Sequence, residues 1–202
     1  MITESHFFAL LSRLKYIERW ALMRSTHPEN LAEHSLEVAM IAHALCVLGN
    51  VRYDRHLNAE RAALIGMYHD ASEIITGDMP TPVKYFNPDI RTAYAEVEAA
   101  AEERLLATLP DDVRPVYQNV FEAQANVEDE DEQYIRRLVK AADKISALIK
   151  CVDEAHAGNE EFSTATHSTQ VALAQMAAEL PEVADFMEEF LPSYGRTLDE
   201  LL

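Results

Sequence analysis

Two histidines and two aspartates, in three separate stretches of the chain, have residue types and spacing that could hold a metal ion. His69 and Asp70 are adjacent in an otherwise apolar stretch, where a polar pair is costly to bury without partners. His34 and Asp143 lie in two other stretches with helical periodicity. Two imidazoles and two carboxylates form a mixed nitrogen and oxygen set suited to a borderline divalent ion. The residue types alone leave Mn²⁺, Co²⁺, Fe²⁺ and Zn²⁺ open.

The elements that must position these side chains are all predicted to be helices. Apolar residues recur at helical spacing along most of the chain, no convincing alternating strand is present, and glycine is scarce at 5 of 202 residues. Asn30 is a good N-cap, and Glu33 completes a capping-box-like start. The predicted helices span approximately Thr3–Ile17, Leu31–Gly49, Asn58–Gly77, Pro88–Leu109, Asp112–Gln124, Asp131–Ala157, Ser163–Leu180 and Glu182–Phe190.

Two connecting segments stand out between these helices. Asp78–Pro82 carries two prolines one residue apart, which predicts a rigid extended loop. The acidic run at 128–132 predicts a solvated connector, with a calcium loop as a minor alternative that lacks EF-hand spacing. There is no internal repeat and no linker-like stretch, so we expect one all-α domain, a helical bundle, over residues 1–202.

Composition limits the possible partners. The chain has 17 Lys and Arg against 35 Asp and Glu, a formal net charge of −18, which disfavours binding to a nucleic acid polymer. Cys46 and Cys151 have no paired spacing, so neither a disulfide framework nor a thiolate zinc site is expected. The N-terminal residues lack a signal-peptide pattern, and no apolar run approaches the length that spans a bilayer. We expect a soluble, cytoplasmic protein with no membrane association.

The order His34, His69-Asp70, Asp143 resembles the H…HD…D pattern of the HD-domain superfamily of metal-dependent phosphohydrolases, whose fold is all-α. Further motifs resemble the bacterial 5'-deoxynucleotidase branch of that superfamily, over about residues 5–191. These motifs are Arg19-Trp20, Glu33-His34-Ser35, His69-Asp70-Ala71-Ser72-Glu73, the stretch Thr76–Phe86, and Ala142-Asp143. Met79 stands where the branch is expected to have leucine, a volume-conserving difference.

The resemblance implies a single-domain HD-domain bundle that hydrolyses deoxyribonucleoside 5'-monophosphates, discriminates against ribonucleotides and forms a homodimer. It implies one divalent ion, such as Co²⁺ or Mn²⁺, that binds the phosphate and activates a water. The implied metal ligands are His34, His69, Asp70 and Asp143. The implied catalytic residues are Arg19, which donates to the phosphate, and Glu73, which orients the water or moves its proton. The implied substrate-binding residues are Arg19, Trp20, His34, Asp70, Asp78, Met79, Pro80, Thr81 and Asp143.

Other interpretations of the same residues stay open at this point. Glu73 could be an exposed helix carboxylate, and Trp20 could be ordinary core packing. The chain could be another HD enzyme that hydrolyses cyclic dinucleotides or alarmone nucleotides, or a helical protein with a purely structural metal. His43 lies on the opposite helix face from His34, so it is not expected to share the ion. Lys84 is expected to add positive charge near the site without contacting substrate.

Overall fold

Helices make up the regular structure of this chain, which a computed structural model describes over residues 4–121 and 127–202. Within those ranges there is no β-strand, and one isolated antiparallel bridge joins Glu18 to Asn30. The all-α prediction is confirmed. The helices are α1 (Phe7–Leu11), α2 (Leu31–Arg52), α3 (Ala59–Tyr68), α4 (Glu73–Thr76), α5 (Thr81–Lys84), α6 (Pro88–Leu106), α7 (Arg114–Phe121), α8 (Glu130–His156), α9 (Ser163–Ala177), α10 (Pro181–Glu189) and α11 (Leu198–Leu201).

The described residues fall into two compact units. Unit 1 contains residues 4–22, 28–35 and 68–121, and unit 2 contains residues 23–27, 36–67 and 127–202. The expectation of a single domain over 1–202 stays a prediction.

The core of unit 1 lies where α1 meets α6. Phe7, Leu105 and Leu109 are buried there, with Tyr117 of α7 packed beside them. The rings of Phe7 and Tyr117 lie 5.0 Å apart between centroids. Burial of such large apolar side chains is the main favourable contribution to folding. This core supports the short helices that follow Tyr68.

The core of unit 2 is built on α8, whose apolar residues recur at helical spacing, and α9 packs along it. Asp129 caps α8 by accepting a hydrogen bond from the backbone N–H of Glu132 at 2.8 Å. The acidic run at 128–132 is therefore not only a connector, because its last three residues form the first turn of α8. Negative side chains are favoured there by the partial positive charge of a helix N-terminus.

The first turn of α2 is capped as the sequence predicts. The Asn30 side chain accepts from the N–H of Ala32 at 3.0 Å and of Glu33 at 3.1 Å, and Glu33 accepts from the N–H of Asn30 at 3.3 Å. The predicted end at Gly49 is wrong, because α2 continues to Arg52. Gly49 serves close packing instead, since a Cβ there would lie 2.8 Å from Oε1 of Glu182.

Helix α2 is also the one described helix that is long and apolar enough to cross a membrane, with a mean hydropathy of 1.4 over its best window. That window is 56% buried inside the protein, as it is in the core helices of soluble proteins. The expectation that no apolar run approaches the length needed to span a bilayer is therefore wrong for α2.

Two predicted helices are broken. The first, predicted over Thr3–Ile17, consists of α1 followed by a separate 3-10 turn at Leu14–Tyr16, and Thr3 lies outside the described residues. The second, predicted over Asn58–Gly77, is interrupted by a turn at residues 69–72 between α3 and α4. It does end at Gly77, whose φ of 72° suits glycine.

The other differences are at helix ends. Thr81 and Pro82, predicted as loop, begin α5, since proline is tolerated in a first helical turn. Helix α7 begins at Arg114, two residues after the predicted start at Asp112, and the predicted end at Gln124 lies outside the described residues. The residues after α10 include α11, at whose start Thr197 and Glu200 form a capping box.

Candidate active site

His69 and Asp70 lie in the turn that separates α3 from α4. The backbone N–H of Ala71 donates to the Tyr68 carbonyl at 3.0 Å, and that of Glu73 donates to the Asp70 carbonyl at 3.0 Å. These bonds span three residues and wind the chain more tightly than an α-helix. The Nε2 atom of His69 lies 3.1 Å from Oδ2 of Asp70, so the turn brings both side chains to one point. The prediction that they project from a continuous helix is wrong in this respect.

His34, in the first turn of α2, faces this pair. Its side chain is fully buried, and its Nε2 atom lies 3.6 Å from Oδ2 of Asp70. The two imidazole rings lie 5.2 Å apart between centroids. One carboxylate oxygen is therefore close to both imidazoles.

His34, His69 and Asp70 form a group of side chains that could hold a metal ion. Asp143, the fourth predicted ligand, lies on α8, where its Oδ2 atom accepts from Nζ of Lys144 at 3.0 Å. Two imidazole nitrogens and carboxylate oxygens are the donors expected of a borderline divalent ion. The residues present therefore fit the predicted metal, and Asp70 is near enough to the imidazoles to take part.

Arg19 contacts the Nδ1 atom of His34. One guanidinium nitrogen, Nη1, lies 2.6 Å from Nδ1 of His34 and 3.1 Å from Oε2 of Glu29. A guanidinium can only donate, so the His34 nitrogen accepts in this arrangement. The structure thus places a permanent positive charge beside His34.

Trp20 has an unusual backbone. Its φ of 61° lies in the left-handed region, which costs a non-glycine residue about 1–3 kcal/mol and persists only where its surroundings impose it. The Trp20 N–H donates to Oδ2 of Asp78 at 3.3 Å, and the indole Nε1–H donates to Oε2 of Glu29 at 2.8 Å. Strained residues of this kind cluster at functional sites.

Glu73, the first residue of α4, is buried rather than exposed. Its side chain has 7% exposure, and among the described residues its Oε2 atom has no hydrogen-bond partner. Burial, with added repulsion from the charges of Asp70 and Asp78, raises the pKa of Glu73 to about 9. A strongly raised pKa in a buried carboxyl marks a candidate functional residue. The alternative of an exposed helix carboxylate is wrong.

The residues that follow Gly77 differ in their burial and in their contacts with the rest of the site. Asp78 is half-buried and tied to Trp20, and burial raises its pKa against the opposing effects of Arg19 and the Trp20 N–H. Met79 and Pro80 are also half-buried, whereas Thr81 is exposed on the first turn of α5. Lys84 donates from Nζ to Glu98 at 2.7 Å, so its charge is largely compensated. His43 is exposed.

Glu29, which was not predicted from the sequence, contacts both Arg19 and Trp20. Its position one residue before the N-cap of α2 gave no signal. The contacts arise because the bridge between Glu18 and Asn30 brings two separate segments together. A carboxylate that is adjacent to a predicted cap carries no periodicity from which this could be inferred.

Comparison with known proteins identifies the family. The sequence model described as 5'-deoxynucleotidase YfbR-like matches residues 6–194. A protein named 5'-deoxynucleotidase from Vibrio cholerae is 50% identical over 198 residues, which are 98% of this chain and 98% of that protein.

Solved structures agree in fold. An HD-domain phosphohydrolase from Listeria innocua is 24% identical, with a TM-score of 0.79 over 94% of this chain and 88% of that one. The HD phosphohydrolase DatZ of cyanophage S-2L, solved with dA and one catalytic Zn²⁺ ion, is 22% identical, with a TM-score of 0.60 over 96% of this chain and 99% of that one. The chain belongs to the YfbR-like 5'-deoxynucleotidase family and has the HD-domain phosphohydrolase fold.

Proposed function

We propose that this chain is a metal-dependent 5'-deoxynucleotidase, which hydrolyses deoxyribonucleoside 5'-monophosphates to the deoxyribonucleoside and phosphate. The observation that carries the proposal is that Oδ2 of Asp70 lies within 3.6 Å of the Nε2 atoms of both His34 and His69. It occurs in a chain that is half identical to a named 5'-deoxynucleotidase over nearly its whole length. Arg19 and Glu73 add the positive charge and the proton-exchanging group that a purely structural ion does not need.

His34, His69, Asp70 and Asp143 are the proposed ligands of one divalent ion. Bound there, the ion supplies Lewis-acid polarisation of the phosphate and lowers the pKa of water. Mn²⁺ and Co²⁺ suit the mixed donor set, and so does the Zn²⁺ that is present in the cyanophage structure.

Arg19 is proposed to bind the phosphate. A guanidinium offers several donors in a planar fork that matches phosphate oxygens. The chain as a whole carries a net charge of −18, so an anionic substrate depends on local positive groups at the site. Arg19 supplies one beside the proposed ligands, with its side chain only 12% exposed.

Glu73 is proposed to orient the attacking water and to take its proton. Its raised pKa means that the carboxyl holds a proton at neutral pH in the metal-free chain. A nearby positive charge lowers the pKa of a carboxyl group, which favours the carboxylate that a general base requires.

The sugar is proposed to lie against Trp20 and the loop after Gly77. The Trp20 ring leaves no room for a 2'-hydroxyl, and Asp78 accepts from the 3'-hydroxyl. Met79, Pro80 and Thr81 form the remaining wall, with the two prolines reducing the entropy lost on binding. Exclusion of one small group is worth about 1–3 kcal/mol of discrimination.

We also propose a cytoplasmic homodimer that binds neither membranes nor nucleic acid polymers. Two free, buried cysteines suit a reducing compartment. An apolar stripe remains exposed along α2 and offers a surface for a second copy. Its residues are Leu36, Met40, Val47 and Val51. The net charge of −18 opposes contact with polyanions.

The test is phosphate release from matched deoxyribonucleoside and ribonucleoside 5'-monophosphates after chelation and stepwise return of Mn²⁺, Co²⁺ or Zn²⁺. Activity should vanish with the chelator, return with metal and favour the deoxy substrates. His69→Ala should lose bound metal and activity together, whereas His43→Ala, which removes an exposed histidine, should lose neither. Full activity in the chelator, or in His69→Ala, would overturn the proposal.

A further inference from the structure

We propose that Glu29 is a positioning residue that sets the preference for deoxyribose, because it holds both Trp20 and Arg19 in place. Glu29 itself has no proposed contact with substrate or metal. The inference rests on the proposed function, since it concerns the sugar wall of the same site.

Backbone pairing brings Glu29 to the site. Glu18 and Asn30 form an antiparallel bridge, and the N–H of Arg19 donates to the Glu29 carbonyl at 2.9 Å. Two segments that are ten residues apart in the chain therefore run side by side at this point. The Glu29 side chain lies beside the two residues that the proposed function uses for phosphate and sugar.

One oxygen of Glu29 serves two donors. Its Oε2 atom accepts from the indole Nε1–H of Trp20 at 2.8 Å and from Nη1 of Arg19 at 3.1 Å. The other oxygen, Oε1, lies 3.9 Å from Nδ1 of His34. The Glu29 side chain is 13% exposed and that of Arg19 12%, so water screens the pair little. Glu29 is thus central to three residues of the proposed site.

For Trp20, this contact determines how the ring lies. An indole has a single polar atom, so the partner of its N–H fixes the rotation of the ring plane. The left-handed backbone conformation of Trp20 is intrinsically unfavourable for a non-glycine residue, so the main chain alone does not hold it. The bond to Glu29 and the N–H bond to Asp78 together oppose its relaxation. Without Glu29, the ring is free to swing away from the sugar.

For Arg19, the contact limits where the guanidinium points. Nη1 of Arg19 donates to both Glu29 and His34, and these two bonds hold the plane of the guanidinium in one orientation. A fork that is held in advance loses less entropy when it binds a phosphate. Loss of Glu29 should therefore raise KM for all substrates and lower the selectivity for deoxyribose.

The experiment uses the fact that Trp20 is the single tryptophan of the chain. Acrylamide quenching of its fluorescence, in the metal-free protein, measures how firmly the ring is held without any need for activity. Glu29→Ala should raise the quenching constant severalfold. In the metal-loaded enzyme it should lower the ratio of kcat/KM for deoxy over ribo substrates by roughly 10-fold or more.

Two further Glu29 variants sharpen the result. Glu29→Asp keeps the charge but shortens the side chain, so it should behave like Glu29→Ala, and it substitutes for that variant if Glu29→Ala does not fold. Glu29→Gln keeps an oxygen that can accept both bonds, so it should restore most of the ring protection and most of the selectivity.

Glu132→Ala is the matched control. Glu132 is 17% exposed and accepts from Arg61 and Arg136, so its loss also breaks a partly buried ion pair. It should change neither the quenching constant nor the substrate ratio.

Unchanged quenching in Glu29→Asp, or increased quenching with an unchanged substrate ratio, would overturn the inference. Failure of the wild type to release phosphate from deoxynucleotides would instead refute the proposed function, and the quenching measurement would still decide whether Glu29 holds Trp20.

Discussion

Glu73 and Glu154 are both buried glutamates, but their surroundings differ. Glu154, on α8, is 1% exposed and accepts hydrogen bonds from Thr26, Asn159 and Lys150. Burial alone would raise the pKa of Glu154, but the bonds from Lys150, Asn159 and Thr26 outweigh it and lower the pKa. Glu73 is also buried, yet its Oε2 atom has no hydrogen-bond partner in the described part of the chain, and its pKa is raised to about 9.

The difference separates a stabilising carboxylate from a reactive one. Where a buried charge is fully hydrogen-bonded, its removal leaves the partners unsatisfied and costs stability. Where the charge is left uncompensated, the folded chain keeps a group that can gain or lose a proton during a reaction. Burial alone does not distinguish the two roles, whereas the number of donors around each carboxyl does.

The largest expected effect is on turnover in Glu73→Gln. An amide cannot take a proton from water, so kcat for phosphate release should fall by about 10²–10⁴-fold. Bound metal should stay near wild type, and stability should not decrease, since an uncompensated buried carboxyl is removed. The measurements are steady-state phosphate release and metal content of the purified protein. A kcat within a factor of two of wild type would remove Glu73 from the mechanism.

Glu154→Gln should have the opposite profile. Removal of one partner from a buried ion pair lowers the free energy of unfolding by about 3–5 kcal/mol, which urea denaturation measures. The kcat of the folded protein should change far less than in Glu73→Gln.

Glu161→Gln is the control for this loss of charge. Glu161 pairs with Arg24, whose side chain is 89% exposed, and such surface pairs contribute under about 1 kcal/mol. Equal losses of unfolding free energy in Glu154→Gln and Glu161→Gln would show that the hydrogen bonds around Glu154 do not make its charge more important for stability than a surface charge.

Asn159→Ala removes one donor of the Glu154 cluster, together with the Asn159 bonds to the Arg24 carbonyl and the Glu161 N–H. The Asn159 Nδ2 atom donates to Oε2 of Glu154 at 2.7 Å. Its loss should cost about 1–3 kcal/mol of unfolding free energy, less than Glu154→Gln, because Lys150 and Thr26 remain. A thermal or urea melt that ranks Asn159→Ala below Glu154→Gln in stability would contradict this order.

The smallest expected effect is a difference in pH dependence, measured as melting temperature of the chelated protein. Glu154 has a folded pKa below its ordinary value of 4.5, so its contribution is complete above that pH and is lost as the pH falls. Glu73 has a folded pKa of about 9, so its contribution is complete below pH 4.5 and is lost as the pH rises toward 9. Glu154→Gln should flatten the acid side of the profile and Glu73→Gln the alkaline side. Parallel pH profiles of melting temperature for the two variants would contradict this difference between Glu73 and Glu154.

Features with local signals were predictable from the sequence. The Asn30 cap depends on two side chains three residues apart, and α6 begins at Pro88 as predicted. The order of His34, the His69-Asp70 pair and Asp143 resembles the HD-domain superfamily. Further motifs, including Arg19-Trp20 and the stretch Thr76–Phe86, predicted the 5'-deoxynucleotidase family, which the comparisons confirm.

Features that depend on distant parts of the chain were not predictable. Apolar periodicity continues through residues 69–72, so it conceals the turn at which His69 and Asp70 meet. Glu29 contacts Arg19 and Trp20 only because of the antiparallel bridge. The donors to Glu154 include Thr26, which is 128 residues away in the chain. Sequence spacing carries no record of such contacts.

The left-handed backbone of Trp20 has an evolutionary consequence. Glycine adopts this conformation at no steric cost, so Trp20→Gly would remove the backbone strain at this position. The same change would remove the ring that is proposed to exclude ribose. The backbone at this position therefore favours glycine, whereas the proposed substrate specificity requires tryptophan.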